Sequence, residues 1–136
     1  MIHEAIKFLT SKLTEAGVPK PRLIVVQVEP EGMPLVALQP GDPPPIHLRL
    51  VVLATADVPL RGLWPTLQAF HRQPVFARQQ EPDLPAPLER MTVAPLRLPV
   101  ETLTALWTAL GRRMVASLAY EVRLMAHPGE PVVPVV

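Results

Sequence analysis

The 136-residue sequence contains no cysteine, which excludes disulfide bridges and thiolate metal sites and leaves no mark of a redox compartment. Neither charge is in surplus. Thirteen basic side chains meet twelve acidic ones for a formal +1, too weak a field to draw in nucleic acid or an anionic lipid surface, so a sequence-reading DNA binder is not expected. No run approaches the roughly 20 apolar residues that cross a bilayer. The opening MIHEAIKFLTSKLTEAG carries charges throughout, unlike a signal peptide with its unbroken apolar centre. A soluble chain with no export route of its own, suited to the cytoplasm, is the expectation.

Reactive constellations are missing as well. Serine occurs only at Ser11 and Ser117, neither in a GxSxG elbow, which argues against a serine hydrolase. The six glycines read as isolated turn residues, so no glycine-rich phosphate cradle is expected. His3, His47, His71 and His127 fall in four different elements without HxxxH or HxH spacing, and read as solvated or incidental side chains; a zinc site folded from distant residues is left open. Glu29 with Glu31, and Glu81 with Asp83, are paired acids beside prolines in presumed loops, where a desolvated carboxyl is hard to arrange. An enzyme would need a site assembled from His47, Glu121 and Arg123 across adjacent strands. No enzyme activity, cofactor or metal is expected.

What is present is apolar: 49% of residues are hydrophobic and 18% charged, a balance that leaves apolar surface for a partner to cover. A chain of this length can bury roughly two-thirds of the surface it exposes when unfolded, enough for one self-supporting domain. Leu103 to Met125 (LTALWTALGRRMVASLAYEVRLM) spells helix, stop and strand. Leu103, Leu106, Trp107 and Leu110 recur at helical spacing, Gly111 can end the helix in a left-handed conformation, and Leu118, Tyr120, Val122 and Leu124 alternate with Ala119, Glu121, Arg123 and Met125.

Elsewhere, Ile2, Ile6, Leu9 and Leu13 predict an amphipathic helix over 2–16, closed by Gly17. Arg22 to Val28 and Pro34 to Gln39 read as a hairpin about the turn signal Pro30-Glu31-Gly32, and Ile46 to Ala54 as a central strand after the stiff connector 41–45. Leu60, Leu63, Trp64, Leu67 and Phe70 have helical spacing, with Pro65 marking the first turn or a kink and regular structure starting near Trp64. A proline-dotted loop runs to Glu89, long enough to be functional or mobile, before a strand from Met91 to Leu98 in which Pro95 demands an edge or bulge. Trp64, Phe70, Trp107 and Tyr120 are expected in the core. The sum is an α+β fold with a mixed sheet and three helices packed mainly on one face, one domain over 1–126, and a Pro/Val-rich tail over 127–136. That tail reads either as a disordered terminus or as a strand that pairs with a neighbouring subunit's sheet edge.

The motifs keep a characteristic order. They run Ile2-His3-Glu4-Ala5 with Phe8-Leu9, Pro44-Pro45-Ile46-His47-Leu48, Phe70, Pro74-Val75-Phe76, Leu88-Glu89 before Thr92-Val93, Leu106-Trp107 with Leu110-Gly111, and Ser117 to Arg123. Over nearly the full chain this order resembles the cap, or tail-terminator, proteins of extracellular contractile injection systems of the antifeeding-prophage and virulence-cassette type, whose N-terminal domain was formerly one of unknown function. The resemblance implies a tail-terminator-like fold and a structural protein that forms a ring, a hexamer, on the end of the inner tube and sheath of a phage-tail-like particle. Its partners would be further copies of itself and the tube and sheath proteins, in the cytoplasm during assembly. Arg72, Arg78, Arg112, Arg113, Glu121, Arg123, Val132, Val133 and Val135 are the candidate assembly contacts. The alternative is a peptide-binding adaptor or assembly chaperone that uses a sheet edge.

Overall fold

A computed structural model describes residues 1–32 and 44–127. Helix α1 (Ile2–Glu15) buries Ala5, Leu9 and Leu13, the four-residue spacing of one helical face. It stops as its glycine requires. Gly17 adopts a φ of +92°, its N–H donates to the Thr14 carbonyl at 3.1 Å, and the Val18 N–H donates to the Leu13 carbonyl at 3.0 Å. Val18 and Leu13 are both buried in the core, completing the apolar contact that accompanies such a closure.

The remaining elements are β1 (Pro21–Glu31), β2 (Ile46–Ala56), α2 (Pro59–Arg72), β3 (Val75–Ala77), β4 (Leu88–Leu96), α3 (Val100–Ala109) and β5 (Leu118–Ala126). Among the described residues five strands form one sheet in the order β1-β2-β5-β4-β3. The α+β class stands, but every pairing is antiparallel where a mixed sheet was expected. The reason lies in the helical connections. A parallel pair needs a helix that carries the chain back to the opposite end of the sheet. Here α2 leaves β2 and enters β3 at the same end, and α3 does so between β4 and β5. Fourteen residues of α2 reach about 21 Å, enough to cross the three strand spacings of about 4.8 Å that separate β2 from β3.

One face of the sheet carries Leu50, Val52, Ala54, Tyr120, Val122, Leu124, Met91 and Val93, buried with residues of α1 and α2 in a single core. Val51, Leu53 and Thr55 point the other way and are buried too, which makes β2 the interior strand its apolar run predicted. On that second face lies α3. Trp107 lines a cavity with Ile24 and Thr55, and the Thr55 hydroxyl donates to the Ala116 carbonyl at 2.9 Å. Helix α3 ends at Gly111 (φ +65°), whose N–H donates to Thr108, with Arg112 donating to Trp107.

Several elements differ from the sequence reading. β1 continues through Pro30 and Glu31, which pair with Leu48 and His47, so the chain does not turn where a turn was read. Its partner is β2; the expected strand 34–39 and the connector 41–43 lie outside the described residues, as does the tail beyond His127. β4 starts three residues early, at Leu88. Pro95 lies within it, and the Val93 N–H, pointing away from β5, meets the Pro74 carbonyl at 2.8 Å. Two residues on, Pro95 directs its donorless nitrogen the same way, beyond the end of β3, where it interrupts no ladder.

Candidate interaction surfaces

Helix α2 departs furthest from its sequence pattern. It begins at Pro59, not near Trp64, and accommodates Pro65 in its interior. The buried side is Gly62, Thr66 and Phe70, small at the end that approaches the sheet. A Cβ on Gly62 would overlap the Cβ of Ala56, so the glycine there is no turn residue but a point of close helix–sheet approach. The Thr66 hydroxyl donates to the Gly62 carbonyl at 2.7 Å, so its buried oxygen is satisfied within the helix. With the small side inward, the larger apolar side faces out: Leu60 is 81% and Trp64 65% exposed, with Leu67 beside them. Trp64 is therefore not a core residue, although Phe70, Trp107 and Tyr120 are.

Along α2 a concavity of about 480 Å³ is lined by Trp64, Leu67, Gln68, His71 and Arg72. A second, of about 350 Å³, shares Leu67 and His71 and continues over Pro74, Ala94 and Pro95, with Tyr120 among its lining residues. Tyr120 packs edge-on against Phe70 with ring centroids 4.9 Å apart. Its hydroxyl is buried without a hydrogen-bond partner among the described residues, and burial pushes its pKa up to about 12.

The outward face of β1, β2 and β5 carries a cross-strand ion network. Arg49 donates from Nε to Glu121 at 2.8 Å and from Nη1 to Glu29 at 3.4 Å. Arg123 Nε lies 2.9 Å from the other Glu121 oxygen and 3.2 Å from Glu31. The hydrogen bond to Glu121 is the main reason the Arg49 guanidinium holds its proton more firmly than usual. The carboxylate of Glu121 is thus taken up by two guanidinium groups. His47 pairs with Met125, four positions along β2 from Val51, the residue opposite Glu121, a displacement of about 13 Å. Strand geometry joins Glu121 to Arg123 but sets His47 apart from Glu121, and no cluster of three metal-ligating side chains occurs among the described residues.

Arg78 is engaged locally. It donates to the carbonyls of Leu88 and Pro85 and lies 3.6 Å from Glu89. With Leu84 buried and Glu81 held by Gln73 (2.8 Å) and Lys12 (3.1 Å), the proline-dotted loop is fastened to α1 and to the end of α2. Those two bonds, Gln73 first, hold the Glu81 carboxyl below its ordinary pKa. Arg72 is exposed at the α2 groove, and exposed Arg112 and Arg113 line the Trp107 cavity with Arg22. Val132, Val133 and Val135 lie outside the described residues. The outward apolar face of α2 was missed in the sequence; its signal was the pair Gly62 and Thr66, one turn apart, opposite the bulky stripe.

The described residues form a small antiparallel α+β domain with charges paired across its sheet and the larger apolar side chains of α2 turned outward. The sequence matches the family described as the Pvc16 N-terminal domain over residues 6–135, and the chain belongs to that family. It is accordingly a structural protein related to phage-tail-like contractile injection systems. No curated protein matches it. Among the described residues no helix is long and apolar enough to cross a membrane.

Proposed function

We propose that this chain caps the end of the inner tube and sheath of a contractile injection particle, acting as a homo-oligomeric ring of six copies. The match to the Pvc16 N-terminal domain over 6–135 carries the reading. The outward apolar side of α2 supports it, because a subunit that works by docking needs surface that its own fold does not use. The mechanism is steric and templating. A ring made by one repeated contact closes on itself, matches the last tube layer on one side and offers no edge for another layer on the other. Arg72, Arg112 and Arg113 are the cations best placed for contacts with acidic neighbours, and the tail beyond His127 is a further candidate contact. Particles assembled without this protein should show tubes and sheaths of irregular length in electron micrographs, and adding the purified protein during assembly should restore a uniform length. Uniform particles in its absence would overturn the reading.

A further inference from the structure

We infer that the outward apolar side of α2 seats on a second copy of this chain, against the end of its β1 and β2 around Val28 and Ile46, so that each copy gives one surface and receives the other; this rests on the ring proposed above. The exposure of Leu60 and Trp64 is built into the packing. Rotating α2 to bury them would place bulky side chains against Ala56, where not even a methyl group fits. Trp64 is the kind of aromatic that anchors interfaces, and the exposed patch of Val100, Met114 and Val115 has none. The receiving surface lies on the sheet. Val28 pairs with Leu50 and Pro30 with Leu48, and Ile46 stands two residues before Leu48, so all three project from the face that holds the core. Leu50 is buried there, yet Val28 and Ile46 are each 45% exposed and Pro30 is exposed too.

Charge matches the two surfaces. Helix α2 carries Arg61, His71 and Arg72 and no acid, and Asp57 just before it lies 3.8 Å from Lys20 and 4.0 Å from Arg22. On the receiving side Glu29, Glu31 and Glu121 share two guanidinium groups, those of Arg49 and Arg123, which leaves a carboxylate in excess. Glu29 and Glu31 flank Pro30 on β1, an edge of the described sheet, where long cationic side chains can reach around the strand. Two α2 surfaces face to face would set cations against cations, whereas α2 on the β1–β2 end neutralises them. Strand β2 runs about 33 Å from Ile46 to Ala56, and α2 starts three residues later, so giving and receiving surfaces lie at opposite ends of the sheet. Such a contact is head-to-tail, the kind that generates rings when it closes.

The test follows the native mass of the full chain as its concentration rises to about 1 mM, the range of a weak but specific contact. Trp64→Ser on the giving side, and Val28→Arg with Ile46→Arg on the receiving side, should each weaken self-association at least tenfold without lowering the melting temperature, since all three side chains are exposed. Arg61→Glu with Arg72→Glu should weaken it similarly, and Val100→Ser should leave it unchanged. Should the double arginine variant lose stability, Ile46→Ser takes its place. Mixing the giving-side and receiving-side variants leaves one intact contact per pair, and should yield a dimer of about 30 kDa, two copies of the 15.0 kDa chain, that grows no further. Absence of that dimer overturns the pairing of α2 with Val28 and Ile46. Self-association of Trp64→Ser equal to wild type overturns it while leaving the ring intact. A wild type that stays monomeric alone overturns it as well, and the ring then falls only if the mixture with tube and sheath proteins is also monomeric.

Discussion

Gly62 and Ala56 approach so closely that a single added methyl group on the glycine would overlap the alanine side chain. That contact lets α2 lie flat on β2 and fixes which side of the helix faces solvent. Gly62→Ala should cost about 1–3 kcal/mol despite its better helix propensity, because neither backbone can yield freely. The companion change Ala56→Gly should recover part of the loss, giving strong non-additivity in denaturant unfolding. A neutral or stabilising Gly62→Ala would show that the helix does not seat there.

Tyr120 is the only tyrosine, so its titration is visible alone by ultraviolet absorbance. Below about pH 10 both folded and unfolded phenols are neutral. Between 10 and about 12 only the unfolded one ionises, so stability should fall by on the order of 2 kcal/mol across that window. Tyr120→Phe removes a buried hydroxyl without a partner. It should not reduce stability at neutral pH, and it should flatten the alkaline fall.

Glu81 predicts the opposite pH dependence. Its carboxyl is held below the ordinary value of 4.5 by Gln73 and Lys12, so its contribution is complete above that value and is lost as pH drops through the folded one. Glu81→Gln should be less stable than wild type at pH 7 by up to about 1 kcal/mol, discounted for partial solvent access. The two melting curves should approach each other as pH falls below the folded value.

Glu121 joins Arg49 and Arg123. Glu121→Ala leaves both guanidiniums without their shared acceptor, so it should be more damaging than Arg123→Ala and non-additive with Arg49→Ala. High salt should shrink the difference, since Arg123 is largely exposed. Chemical denaturation of the single and double variants measures this directly.

Much of this architecture was legible in the residues. The strict alternation from Leu118 to Met125 placed Tyr120, Val122 and Leu124 inward, and Gly17 and Gly111 marked two helix stops that depend only on local backbone conformation. Tertiary effects were not legible. The pattern of α2 is written in its bulky residues, yet the sheet selected its small ones, and Pro65 misled because a helix already packed on a sheet tolerates one missing donor. Pro30 misled for a related reason, since β1 lies at an edge of the described sheet. The ion network joins Glu29, Arg49 and Glu121 across register, which charge spacing along the chain does not encode.

The most direct test of the central claim is the native mass of the purified protein, alone and mixed with tube and sheath proteins. The account predicts a closed oligomer, about 90 kDa for six copies of the 15.0 kDa chain, alone or once tube protein is added. A monomer under every one of these conditions would contradict it.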